Sequence, residues 1–162
     1  MGSDEFILGE YSRTLDDRFR LSIPTQITDL VSPKGDDLIL VKERPGCLSL
    51  WNGPQWQGKL DAGVNLVHAK IAAGKLENKI ADVQLLGRLL STRQRNVTLA
   101  GKGRLLIPEG FREFLGVEAG GEVLIVGAAV CVEIWKPEAW LNNLEEKMPE
   151  FRSLLDQPKK KK

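Results

Sequence analysis

The feature that most constrains the fold is an internal repeat. When the chain is slid against itself by 84 residues without a gap, Thr14-Leu15 falls on Thr98-Leu99, Arg20-Leu21 on Arg104-Leu105 and Ile23-Pro24 on Ile107-Pro108. Further along, Leu40 meets Leu124, Cys47 meets Cys131, Trp51 meets Trp135 and Trp56 meets Trp140. Those pairs use both cysteines and all four tryptophans of the chain, residue types too rare to align by chance in one register. A fold for this sequence has to be built from two copies of one unit.

Each copy carries the same pattern. Residues 12–15 and 97–99 read as a short strand that runs into a polar turn, and residues 20–23 and 104–107 as a second strand ended by a proline. Pro24 and Pro108 suit the first turn of a helix, where no N–H is missed, and Ile27, Leu30 and Val31 match Phe111, Phe114 and Leu115 at helical spacing. Gly116 stands where a helix ends. After glycine-rich turns at 35–37 and 120–121, two further strands are predicted at 38–42 and 47–51, and again at 123–126 and 131–135. In the second copy Pro137 opens another helix, with Trp140, Leu141, Leu144 and Met148 on one face, which Pro149 is expected to stop.

A hairpin-helix-hairpin unit of about 45 residues is too small to bury a core of its own. The reading is therefore an α+β, β-rich fold in which repeats at 6–57 and 96–146 intertwine their hairpins about a pseudo-two-fold axis. Between them, 58–95 reads as connecting helices, with Ile80, Val83, Leu86 and Leu90 at helical spacing; Gly63, Gly74 and Gly87 divide the stretch into two. Residues 1–5 and 155–162 are expected to be flexible termini.

Composition narrows the chemistry. Two cysteines and one histidine (His68) in 162 residues leave no disulfide framework, no cysteine-based zinc site and no histidine triad. No apolar run approaches the roughly 20 residues that span a bilayer, so no membrane partner is expected. The net charge of +1 conceals an uneven distribution: residues 83–108 contain no acidic residue, while Arg88, Arg93, Arg95, Lys102 and Arg104 give that segment +5. Local charge governs contact with phosphates, because exposed charges are felt over about 8 Å at physiological salt.

Adjacent Asp16 and Asp17 invite an acid/base reading, but the second copy has Ala100 and Gly101 there, and neighbours on a strand end point opposite ways. Turn formation and pairing with Arg18 or Arg20 is the simpler role. Cys47 and Cys131 lack a matched histidine and read as small buried hydrophobes. Gly101-Lys102-Gly103 lacks the spacing of a phosphate loop. No enzyme activity, cofactor, metal or small-molecule substrate is expected. What remains is the turn opening each repeat, which presents Arg18 and Arg20, or Lys102 and Arg104, at alternate positions and so on one face. Paired turns would gather four cations at one end of the molecule, and Arg13, with Arg93 and Arg95, would widen the patch. Such a patch suits double-stranded DNA.

The residues that carry these turns are recognisable. Phe6-Ile7-Leu8-Gly9-Glu10-Tyr11, then Leu15-Asp16 to Arg20-Leu21-Ser22-Ile23-Pro24, resembles the opening of the MraZ proteins. Gly103-Arg104-Leu105-Leu106-Ile107-Pro108, Phe111-Arg112-Glu113 and Glu133-Ile134-Trp135 to Trp140 resemble their second half, so that the likeness covers about residues 6–146. The resemblance implies tandem AbrB/SpoVT-like swapped-hairpin modules in a double-psi-like barrel body, a homo-oligomeric ring, and a cytoplasmic, nucleoid-associated bacterial transcriptional regulator. It also implies binding to direct-repeat boxes upstream of division and cell-wall genes through DxxxR turns. Here the first motif is intact as Asp16 and Arg20, whereas Ala100 replaces the second Asp beside Arg104. Arg18-Phe19 stands where Lys-Gly is usual. Arg20 and Arg104 are expected to specify the sequence, and Arg18 and Lys102 to neutralise phosphate. An oligomeric scaffold of the same fold that has lost operator recognition is the alternative.

Overall fold

The structure, a computed structural model, describes residues 5–35, 37–74, 80–101 and 103–160, with side chains as far as 155. The first repeat supplies β1 (Glu10–Thr14), β2 (Arg20–Ser22), α1 (Thr25–Val31), β3 (Leu38–Arg44), β4 (Cys47–Asn52) and α2 (Gly53–Ala72). After α3 (Ile80–Thr92), the second repeat follows in the same order with β5 (Gln94–Val97), β6 (Arg104–Leu106), α4 (Glu109–Leu115), β7 (Glu122–Gly127), β8 (Val132–Trp135) and α5 (Pro137–Lys160). The expected elements are all present, with ends shifted by a residue or a few. The helical connection forms as two helices, but the first begins at Gly53 and belongs to the repeat, since α5 starts at the matching position.

Strand pairing crosses between the repeats. A six-stranded antiparallel sheet runs β1-β7-β8-β4-β3-β5, and β2 pairs with β6 in a separate antiparallel ribbon. Exchanging each strand for its counterpart 84 residues away returns the same sheet order reversed, as a pseudo-two-fold axis requires. The axis passes between Ser49 and Glu133, which face each other across β4 and β8, and between Leu21 and Leu105 in the ribbon. Symmetry breaks at one edge. Tyr11 of β1 faces Ile125, but Arg95 of β5 faces Leu40 where an equal repeat would bring Val41, a slip of one residue. The sheet ends on edge strands β1 and β5, and the ribbon lies across the core from it.

Two apolar clusters fill the body. Leu21, Leu105, Ile23, Ile107, Ile27 and Phe111 from the ribbon and short helices pack on Leu48, Leu50, Val132 and Ile134 of the central strands. This is the shared core that neither repeat can build alone. Residues alternating with these in the sheet face the other side, where Ile39, Val41, Trp51 and Cys131 meet Trp56 of α2. Trp51 and Trp56 rings sit 5.2 Å apart, and their counterparts Trp135 and Trp140 sit 5.3 Å apart. The repeated tryptophan pairs thus dock α2 and α5 onto the sheet. Gly46 turns the β3–β4 hairpin at φ +87°, and a Cβ there would lie 2.6 Å from that of Ala139 in α5.

Local chemistry starts and stops the helices. Asn52 caps α2 by accepting from the Gln55 N–H at 3.0 Å, and Gly116 ends α4 at φ +79°. One expectation fails: α5 does not stop at Pro149 but continues to Lys160. Residues 145–155 are exposed, so water can satisfy the carbonyl that Pro149 leaves without its N–H partner. Of the described residues, no helix is long and apolar enough to cross a membrane.

Cys47, the first residue of β4, and Cys131, just before β8, are buried as small apolar groups, 1% and 3% exposed. Burial raises both thiols, Cys131 to about 12, with the carboxylates of Glu133 and Glu43 adding to the effect. Neither thiol is expected to react with a disulfide reagent in the native protein at pH 8, and both should react on unfolding in urea. Stoichiometric labelling of the folded chain would contradict this packing.

Candidate nucleic-acid interface

The β2–β6 ribbon is the frame of the site. Its period-two alternation sends Leu21 and Leu105 into the core, both fully buried, and leaves Arg20, Ser22, Arg104 and Leu106 on the opposite face. Arg20 faces Leu106 across the ribbon and Ser22 faces Arg104. Arg20 and Arg104 are therefore diagonal neighbours, a relation that places Cα atoms about 7–8 Å apart and keeps long side chains within reach of one another. The ribbon is locked at both ends by backbone bonds: the Ile107 N–H donates to the Phe19 carbonyl, and the Ile23 N–H to Gly103, each at 2.9 Å.

The two turns flank the ribbon at its opposite ends, because β2 and β6 are antiparallel. What the fold brings together on one face is Arg20 and Arg104, with Arg18 farther out on the first turn. Lys102 lies outside the described residues. Arg13 sits back along edge strand β1, folded against Tyr11 at 5.6 Å and donating to the Ser12 carbonyl at 2.8 Å. Arg93 does not widen the patch. Its Nε donates to the Lys42 carbonyl at 2.6 Å and its Nη2 lies 3.8 Å from Glu43, at the end of β5 remote from the turn. Arg95 is exposed on β5, likewise away from the ribbon face.

Asp16 organises the first turn. Its Oδ1 accepts from the backbone N–H groups of Arg18 and Arg20, each at 2.8 Å, and its Oδ2 accepts from the Arg20 Nε at 2.8 Å. The Arg20 N–H, then the Arg18 N–H and the Arg20 guanidinium, hold this carboxyl below its ordinary range despite some desolvation. Adjacent Asp17 takes no part, so the carboxylate pair is a turn device. Among the described residues Nε is the one Arg20 guanidinium nitrogen engaged, which leaves the donors of both terminal nitrogens available.

The second turn closes differently. Ala100 has no carboxylate, and the Arg104 N–H donates instead to the Ala100 carbonyl at 2.9 Å, with the Ala100 N–H returning a bond to Arg104 at 2.8 Å. Gly101 and Gly103 hold φ +52° and +93°. A Cβ on Gly103 would stand 2.8 Å from the Ile23 carbonyl, and one on Gly101 3.1 Å from the Arg104 Nη2. Arg104 thus lies over its own turn with no acidic partner among the described residues. One motif holds its arginine with a carboxylate and the other does not.

Phe19 stands at the position matched to Gly103 and keeps the left-handed backbone, φ +60°, which costs an L-residue about 1–2 kcal/mol. Its ring offsets that cost by packing on the core and lying under the Arg112 guanidinium, 4.4 Å from the ring centre. Arg112 is itself steered by its Nε bond to the Ile107 carbonyl at 2.8 Å. Sequence reasoning missed Arg112, and it missed Ser22 and the half-exposed Leu106 on the outer face; period-two alternation through Arg20-Leu21-Ser22 and Arg104-Leu105-Leu106 was the available signal. Glu133, near the centre of the sheet, has its carboxyl raised by burial but belongs to the packing under Trp135.

Replacing Phe19 separates backbone strain from ring packing. Phe19→Ala should lower unfolding free energy by about 2 kcal/mol, the value of a half-buried aromatic ring. Phe19→Gly should lower it by about 1 kcal/mol less, because glycine accepts positive φ without strain. Urea denaturation of both variants checks the order, and equal losses would mean that the turn relaxes its φ when the ring is removed.

Comparisons with known proteins place the chain in a family. A family model described as "MraZ protein, putative antitoxin-like" matches residues 91–156. A protein of Thermus thermophilus named transcriptional regulator MraZ is 32% identical over 138 residues, covering 85% of this chain and 87% of its own length. A Roseiflexus protein of the same name is 31% identical over 137 residues, 85% of each chain, and one from Syntrophomonas wolfei is 26% identical over 149 residues, 92% and 94%. With 32% identity to such a relative over 85% of its length, the chain belongs to the MraZ family, whose similar members carry the name of transcriptional regulators.

Proposed function

We propose that the chain is a sequence-specific regulator that reads duplex DNA with the outer face of its β2–β6 ribbon. A two-stranded ribbon fits the major groove, where an arginine can donate to guanine O6 and N7 at once. The observation that carries the reading is the diagonal placement of Arg20 and Arg104 on that face, with Arg20 held at its Nε by Asp16. Asp16 serves as a positioning residue. Arg18, and Lys102 from the other turn, act as point charges toward phosphate, and Arg13 is a flanking contact.

Two specifying arginines and a few phosphate contacts make a weak, salt-labile site in a single chain. A homo-oligomeric ring repeats that site, so several subunits engage several direct-repeat boxes and avidity rises by roughly 10² to 10⁴. The boxes expected from the family likeness lie upstream of division and cell-wall genes, which would place the protein on the nucleoid in the cytoplasm. One observation favours the rival reading of a scaffold without operator recognition: Ala100 leaves Arg104 unclamped, so half of the reading head lacks preorganisation.

Arg20→Ala and Arg104→Ala test the proposal. Each should cost about 1–3 kcal/mol in binding to the operator per engaged subunit, and the pair should erase preference for it over scrambled DNA. Arg18→Ala should instead weaken both duplexes alike and reduce the salt slope by about one per bound subunit. All three side chains lie outside the core, so the melting temperature should not move. Retained preference in the double variant would refute the assignment.

A further inference from the structure

Of the outward residues of the β2–β6 ribbon, Arg20, Ser22 and Arg104 are polar, whereas Leu106 offers only methyl and methylene groups and is 52% exposed. A single exposed leucine on a surface is ordinary. Its position makes this one informative. The bonds from the Ile107 N–H to Phe19 and from the Ile23 N–H to Gly103 put the hydrogen bonds of the ladder at the alternate pairs, those that carry Leu21 and Leu105 inward. Arg20 with Leu106, and Ser22 with Arg104, are therefore the non-hydrogen-bonded pairs, in which Cα atoms approach to about 4.5 Å and side chains stand closest. Each arginine has its nearest outward neighbour in the other repeat.

The pseudo-two-fold axis exchanges Arg20 with Arg104 and Ser22 with Leu106. The two arginines carry identical donors, so taken alone they present the same chemistry to a base sequence and to its inverse. The turns differ in how they hold an arginine and not in what that arginine offers a base. At the level of the bases, the face loses its symmetry at Ser22 and Leu106. A serine hydroxyl donates and accepts, and so tolerates any base edge. A leucine does neither and gains only from another apolar group. Along the major groove the apolar group on a base edge is the 5-methyl of thymine.

We infer that Leu106 is a specificity-determining residue, packing on the 5-methyl of a thymine next to the guanine that Arg20 reads. Base pairs stack about 3.4 Å apart, so a side chain rooted about 4.5 Å from Arg20 falls over the neighbouring pair. Cytosine in place of that thymine turns an amino group toward the leucine, which leaves it without a partner. The Arg20 half of the ribbon then reads guanine and thymine together, whereas the Arg104 half, with Ser22 beside it, reads guanine alone. That difference gives each site a direction, which a directly repeated box requires and a symmetric ribbon lacks. The inference rests on the proposed reading of DNA by the ribbon and names the base chemistry that the reading leaves open.

Deoxyuridine differs from thymidine by that methyl group alone and therefore isolates the contact. In a duplex carrying the direct repeats from upstream of the protein's own gene, each thymine position is replaced in turn by deoxyuridine, in every box at once, and binding of the full chain is followed by fluorescence anisotropy. For the wild type, one position should weaken binding about 4-fold for each engaged box, the value of one buried methyl group. Leu106→Ser should weaken the unsubstituted duplex and be indifferent to deoxyuridine at that position, while Ser22→Ala keeps the full sensitivity. Both positions are exposed, and thermal melts verify that the variants fold. If no position is sensitive while the repeats are still preferred over scrambled DNA, the role of Leu106 is overturned and the reading by the ribbon stands. Sensitivity that survives Leu106→Ser would overturn it by assigning the methyl contact to another residue. A wild type without preference for the repeats would overturn the ribbon reading, and this inference with it.

Discussion

Everything in this molecule depends on the meeting of Leu21 and Leu105 across the β2–β6 ribbon. Neither repeat can bury its own apolar face, and the two become stable only when each lends a strand to the other. Because both leucines point inward at the pseudo-axis, the residues on either side of them point outward. The interaction that completes the core is therefore the one that brings Arg20 and Arg104 onto a common surface. Fold and candidate site are two faces of one ribbon.

The two halves of that ribbon have diverged within a shared frame. The first turn is rigid: a carboxylate gathers two backbone N–H groups and a guanidinium, and Phe19 bears its positive φ against the Arg112 contact. The second is a bare backbone turn made of glycines. The Asp16 carboxylate is stabilised in its charged form, so the clamp is complete above the ordinary carboxylate range and dissolves only as pH falls through the lowered value. At neutral pH the first arginine is held by a carboxylate and the second is not, so under the proposed DNA contact the second would lose more side-chain freedom on binding.

Much of this was legible in the sequence. The 84-residue register, the prolines at 24 and 108, and Gly116 place the elements because each is a local signal with a local cause. Paired tryptophans and cysteines announce that the copies share a core. The failures concern properties that no local pattern holds. Antiparallel pairing of β2 with β6 separates the two turns, although each turn taken alone gives no sign of it. Arg93 contributes to the basic segment by count, yet tertiary contact ties it to Lys42 and Glu43. Pro149 breaks helices in general, but in an exposed stretch of α5 solvent makes up the missing bond. Asp16 is legible as a turn residue that pairs with a neighbouring arginine, whereas its hold on the two backbone N–H groups of Arg18 and Arg20 is a matter of geometry.

The central claim, that the outward ribbon reads sequence rather than merely attracting phosphate, is tested most directly by fluorescence anisotropy of two duplexes at two salt concentrations. One duplex carries the direct repeats from upstream of the protein's own gene, and the other the same bases scrambled. A preference for the repeats that persists as salt is raised is the predicted result, since base contacts survive where counterion release is suppressed. Equal binding to both duplexes, lost together with salt, would contradict it.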